Sequence, residues 1–101
     1  MQYETIKQHP TIERIKVTES GGIFNNKTGK YLVPTITKTG REEVTIYLRY
    51  GSIRRMVSTL VGQTYLDNPL GATRVRHKNG IVFDNHYTNL EWIIPLKKRL
   101  N

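Results

Sequence analysis

The sequence contains no cysteine. That absence removes disulfides, thiolate metal sites and cysteine nucleophiles together. Acidic residues are scarce, with 8 Asp and Glu against 16 Lys and Arg. No apolar run approaches the roughly 20 residues needed to cross a bilayer. The start, Met1-Gln2-Tyr3-Glu4-Thr5, is polar and lacks the apolar core of a signal peptide. No membrane association is expected, and the expected setting is a cytoplasm. Internal repeats and low-complexity segments are also missing.

The chain's 101 residues suit a single domain. A hydrophobic content of 37% can fill one modest core. The formal charge of +8 points to a polyanionic partner. Each phosphate neutralised by Lys or Arg releases condensed counterions and drives association. The plainer alternative is a soluble basic protein whose lysines face only water.

Short strands and turns fill the first half. Residues 1–12 are polar and show little periodicity. Ile15-Lys16-Val17 reads as a strand, Glu19-Ser20-Gly21-Gly22 as a turn, and Ile23-Phe24 as a strand again. Asn25 to Gly29 is a second turn. Tyr31-Leu32-Val33 follows and is broken by Pro34. Residues 44–50 alternate: Val44, Ile46, Leu48 and Tyr50 share one face, and Thr45, Tyr47 and Arg49 the other. The second face suits nucleic acid, or is an ordinary solvated sheet face.

Residues 56–65 are the best helix candidate, with Val57, Leu60, Val61 and Tyr65 at helical spacing. Gly62 and the β-branched residues weaken that reading. Asp67 to Gly71 is a loop. Strands are expected at Val75–His77 and Leu90–Ile94, then a short helix starting at Pro95.

The most informative stretch is Arg76-His77-Lys78-Asn79-Gly80, followed by Asp84-Asn85 and Asn89-Leu90-Glu91-Trp92. Earlier come Val17-Thr18, Gly21-Gly22, Ile23-Phe24, Lys27-Thr28-Gly29-Lys30, and a helix Val57-Ser58-Thr59-Leu60-Val61. In order and spacing these motifs resemble the HNH homing endonucleases of phage introns, with a DNA-binding part ahead of an HNH ββα unit. The resemblance covers nearly the whole chain and implies the cytoplasm of a phage-infected bacterial cell.

It also implies roles. In that family a histidine at His77 acts as general base and an Asn at Asn89 orients it, while a divalent metal offsets charge growing on the phosphate. The first metal ligand would stand at position 76, where this chain has Arg, a permanent cation. Family spacing puts the second at Lys98. Asp84 and Asn101 are weaker substitutes. The metal ligands therefore read as lost.

The fold expected is α+β: a small antiparallel sheet near residues 15–50, a packing helix, and a truncated HNH-like ββα unit. One domain covers 1–101, with a β-rich DNA-binding part over about 1–55 and a degenerate HNH-like part over about 56–101. The function expected is sequence- or structure-directed DNA binding on a nuclease scaffold, regulatory or competitive and phage-related. Thr45, Tyr47, Arg49, Arg54, Arg55, Arg74, Arg76, Lys78, Lys97 and Lys98 are the candidate DNA contacts, and no cofactor is expected.

Two alternatives stay open. One is an active nicking endonuclease using His77 and Asn89 with Mg²⁺ or Mn²⁺. The other is a phage inhibitor that binds a host protein. The oligomeric state is not legible. His9 is expected in solvent, His86 in a structural role and Trp92 in the core.

Overall fold

A computed structural model describes residues 4–95. Its first sheet is antiparallel and holds β1 (Ile6–Gln8), β2 (Ile15–Thr18), β3 (Ile23–Asn25) and β4 (Lys30–Tyr31), in that order. The turn between β2 and β3 passes through Gly21 at φ 103°, a conformation that disfavours a Cβ. At the next turn the Asn25 side-chain oxygen accepts the backbone N–H groups of Lys27 and Thr28.

β1 was not legible in the sequence. It is an exposed edge strand, and pairing there needs backbone groups but no apolar alternation. His9 corrects a second expectation, being only 3% exposed. Its Nδ1 accepts the N–H groups of Thr11 and Ile12, and its Nε2 lies 2.7 Å from Gln63 Oε1. The ring thus pins the β1–β2 connection to the helix that carries Gln63, and burial lowers its pKa.

The second sheet holds β5 (Thr35–Ile36), β6 (Glu42–Leu48) and β7 (Gly51–Met56), again antiparallel. The 15–50 region therefore divides into two sheets, with Pro34 between them. The inward alternation runs through Val44 and Ile46, both buried, and then stops. Leu48 is exposed, and Tyr50 is 91% exposed in the hairpin turn that joins β6 to β7.

Helix α1 (Val57–Tyr65) follows β7 directly and buries Val57, Ser58, Leu60, Val61 and Gly62. It packs against β2, β6 and β7, and against a third sheet of two antiparallel strands, β8 (Val75–His77) and β9 (Leu90–Trp92). Gly62 explains its own presence there: a Cβ would stand 3.1 Å from Val75 and 3.2 Å from the Trp92 ring. Helix propensity is given up for close approach.

One core gathers Ile15, Val17 and Ile23 from the first sheet, Val44 and Ile46 from the second, Val57, Leu60 and Val61 from α1, and Val75 and Leu90 from the third. Trp92 is half-buried against it. Among the described residues the architecture is α+β, with antiparallel sheets around one α-helix. No helix among the described residues is long and apolar enough to cross a membrane. The closing helix expected after Pro95 falls outside them, as do Lys97, Lys98 and Asn101.

Candidate nucleic-acid interface and histidine site

β6 and β7 set out the first group of candidates. Cross-strand pairing puts Thr45 opposite Arg54 and Tyr47 opposite Ser52. These residues share the face turned away from the core, where Tyr47 is 69% exposed. Arg55 departs from the expected set. It pairs with buried Val44, so it leaves β7 on the other face. Arg49 sits at the turn, its guanidinium 5.3 Å from the Tyr50 ring centre.

Sequence reading missed two neighbouring cations. Arg14 donates from Nη1 to the Tyr47 carbonyl at 3.0 Å, tying the first sheet to this hairpin. With Lys27 it lines an open groove of about 600 Å³ beside Leu48 and Ile53. No spacing rule links residues 14, 27 and 48; the fold brings them together.

β8 sets out the second group. Val75 and His77 point inward and are buried, while Arg74, Arg76 and Lys78 are exposed in alternation. The cations therefore line the face opposite the His77 ring. Arg76 pairs through Nε with Glu91, its cross-strand partner on β9. Both are well exposed, and such pairs contribute less than about 1 kcal/mol.

Behind that strand lies the histidine site. His77 is 8% exposed, and its Nε2 lies 2.9 Å from Asn85 Oδ1. Asn85, 2% exposed, donates from Nδ2 to Glu42 Oε1 at 2.9 Å. The His77 Nδ1 atom is buried and has no hydrogen-bond partner among the described residues.

Asn89, expected as the orienter of His77, makes other contacts. Its Oδ1 accepts the Asn79 N–H, and its Nδ2 donates to Asn79 Oδ1 and the Asp84 carbonyl. It holds the loop between β8 and β9 in shape, and Asn85 is the side chain on the histidine. Asp84 belongs to the same loop, accepting from Asn79 Nδ2 at 2.9 Å. His86 caps the 3-10 turn Tyr87–Asn89 by accepting the Thr88 N–H.

Asn85 could have been found in the sequence, since it stands in the Asp84-Asn85 pair that carries the resemblance. Glu42 leaves a fainter trace. It has the parity of Val44 and Ile46, which puts a carboxylate on an inward face.

Among the described residues no three His, Asp or Glu side chains converge. Arg76 faces away from the His77 ring, and the carboxylates of Glu91 and Asp84 are bonded to Arg76 and Asn79.

No family model matches the sequence. Over 85 residues, 84% of this chain, it is 31% identical to an uncharacterized HNH endonuclease of Acanthamoeba polyphaga mimivirus. The fold matches the solved structure of the HNH homing endonuclease I-HmuI, from work on DNA binding and cleavage by that enzyme. The TM-score is 0.76 at 23% identity over 92% of this chain. The chain spans 26% of the mimivirus protein and 53% of the I-HmuI chain. By sequence it is similar to an HNH endonuclease, and its fold is that of an HNH homing endonuclease.

Proposed function

We propose that the chain binds duplex DNA through two cationic faces and does not cut it efficiently. The observation that carries this reading is on β8: Arg74, Arg76 and Lys78 face outward while His77 faces the core. Arg76 and Lys78 supply phosphate contacts, and position 76, where the resemblance puts a metal ligand, carries a cation that binds none. Thr45, Tyr47, Arg49 and Arg54 offer hydroxyl, aromatic and cationic groups to a groove. Lys97 and Lys98 extend the set, and Arg55 contributes from the other face of β7. We read positions 1–55 as the main DNA-binding part and 56–101 as the degenerate HNH-like part of one domain. A protein of this kind blocks a sequence or competes with a related nuclease for its site.

The test is an electrophoretic shift with duplex DNA at increasing salt. Salt-sensitive binding supports the reading, and no binding at modest ionic strength ends it.

A second reading, a nicking endonuclease, is favoured by one observation: the His77 ring is held by a polar network. Incubating supercoiled plasmid with the protein in Mg²⁺ and then Mn²⁺ separates the two. Nicking that is lost in His77→Ala would establish the enzyme.

A further inference from the structure

The proposed duplex contacts leave one built surface unused, the outer face of the first sheet. Ile15, Val17 and Ile23 point to the core, so the residues that alternate with them point out. Strand register sets Gln8, Lys16, Phe24 and Tyr31 side by side in one row across β1 to β4. Gln8 and Lys16 are exposed, Phe24 is half-buried and Tyr31 is 56% exposed. The row holds a cation and two aromatic rings, and no carboxylate.

Its aromatic end is firmly seated. Tyr31 meets Phe24 edge to face, with ring centres 5.3 Å apart at 74°. The tyrosine ring also lies over Gly22, where a Cβ would stand 3.1 Å from Tyr31 Cε1 and 2.9 Å from Thr18 Oγ1. Gly22 has no positive φ, so its backbone does not call for glycine; the tyrosine ring and Thr18 do. The face continues along the strands to Arg14 and Asn26, two residues from Lys16 and Phe24, where the Asn26 N–H bonds the Arg14 carbonyl. Both line the open groove that Lys27 also borders. Arg14 uses one nitrogen on the Tyr47 carbonyl and keeps other donors for a ligand.

A duplex shows the polar edges of its bases in the grooves and hides their π-faces in the stack. Only an unpaired base can lay that face on a tyrosine ring while Lys and Arg hold its phosphates. We infer that the outer face of the first sheet binds unpaired nucleic acid, with bases stacked on Tyr31 and Phe24. The backbone passes Lys16 towards the groove that Arg14 and Lys27 line. The inference goes beyond the proposed function and uses none of its side chains.

The test is fluorescence anisotropy of short labelled oligo(dT) and oligo(U) with the full chain at increasing salt. Salt-sensitive binding is expected. Tyr31→Ala should weaken it by about 5- to 100-fold, the range for one lost stack. Tyr31→Phe keeps the ring and should bind like the native chain. Lys16→Ala should make the salt dependence shallower. If Tyr31→Ala does not fold, Tyr31→Leu, which keeps apolar bulk without a ring, decides in its place. Tighter binding of oligo(dT) assigns the face to DNA strands and tighter binding of oligo(U) to RNA; either supports the inference when Tyr31 carries it.

Binding of neither oligonucleotide would overturn the inference, as would equal affinity in Tyr31→Ala. Self-association of the native chain without oligonucleotide binding would give the face to a second copy. Duplex affinity measured on the same variants keeps the two ideas apart, and Tyr31→Ala should leave it unchanged. An equal loss of duplex affinity in Tyr31→Ala would make the shelf part of a duplex face and end the inference. A chain that binds no duplex ends the proposed function and leaves the shelf standing.

Discussion

Gly21 shows how tightly single positions are drawn. At φ 103° it occupies a region hostile to side chains, and a Cβ there would stand 2.9 Å from Val57 Cγ1 and 3.0 Å from Asn85 Cβ. Gly21→Ala is expected to lose more than about 1 kcal/mol, because backbone strain and overpacking add. Urea unfolding measures the loss, and no change in midpoint would contradict it.

His9 gives a pH dependence. Burial lowers its pKa in the folded chain, so the unfolded chain binds its proton first as pH falls. Stability contributed by His9 is full above its ordinary value of about 6.5 and declines as pH drops from there towards the lowered value. The denaturation midpoint should fall between pH 7 and pH 5, and less steeply in His9→Gln. Equal slopes in both proteins would exclude this source. Neither residue announced itself in the sequence. A glycine in a turn says nothing about what packs above it, and a histidine beside Pro10 in a polar stretch looks solvated until Gln63 is seen across from it.

Among the elements, α1 was legible and β1 was not, for one physical reason. Apolar periodicity records burial, and α1 buries a full stripe while β1 buries nothing. Val75–His77 and Leu90–Trp92 were legible from motif spacing. The division of the first fifty residues into two sheets was not, because strand partners are chosen by tertiary contacts that period-2 patterns do not encode.

The helix carries the core, so Leu60→Ala should cost about 2–5 kcal/mol. Gly62→Ala should be a smaller net loss: the helix gains roughly 1 kcal/mol in propensity, but Val75 and Trp92 must yield. A shift in Trp92 fluorescence reports that movement. A more stable Gly62→Ala with unchanged fluorescence would show that the contact is slack. On the β6–β7 hairpin, Tyr47→Ala is expected to weaken DNA binding while changing stability by less than about 0.5 kcal/mol. Affinity and unfolding measured together test both halves.

At the scale of the whole molecule, all three sheets and the helix contribute to one core. A single cooperative unfolding transition is expected, with coincident Trp92 fluorescence and far-ultraviolet circular dichroism. Two separated transitions would divide the chain into independent parts. The sequence showed the resemblance and the chemistry of position 76. It did not show that Arg76 and His77 lie on opposite faces of β8, nor that Asn85 rather than Asn89 meets the histidine. Strand alternation could have supplied the first; the second needed the shape of the loop.

The charge of +8 matters at this scale as well, since counterion release is a property of the whole cationic surface. The most direct measurement is duplex DNA affinity as a function of salt for the native chain, Arg76→Ala and Lys78→Ala. Salt-sensitive binding is expected, with the slope of log affinity against log salt shallower by about one in each variant. Native binding without salt dependence, or slopes unchanged by both substitutions, would contradict DNA binding through the outer face of β8.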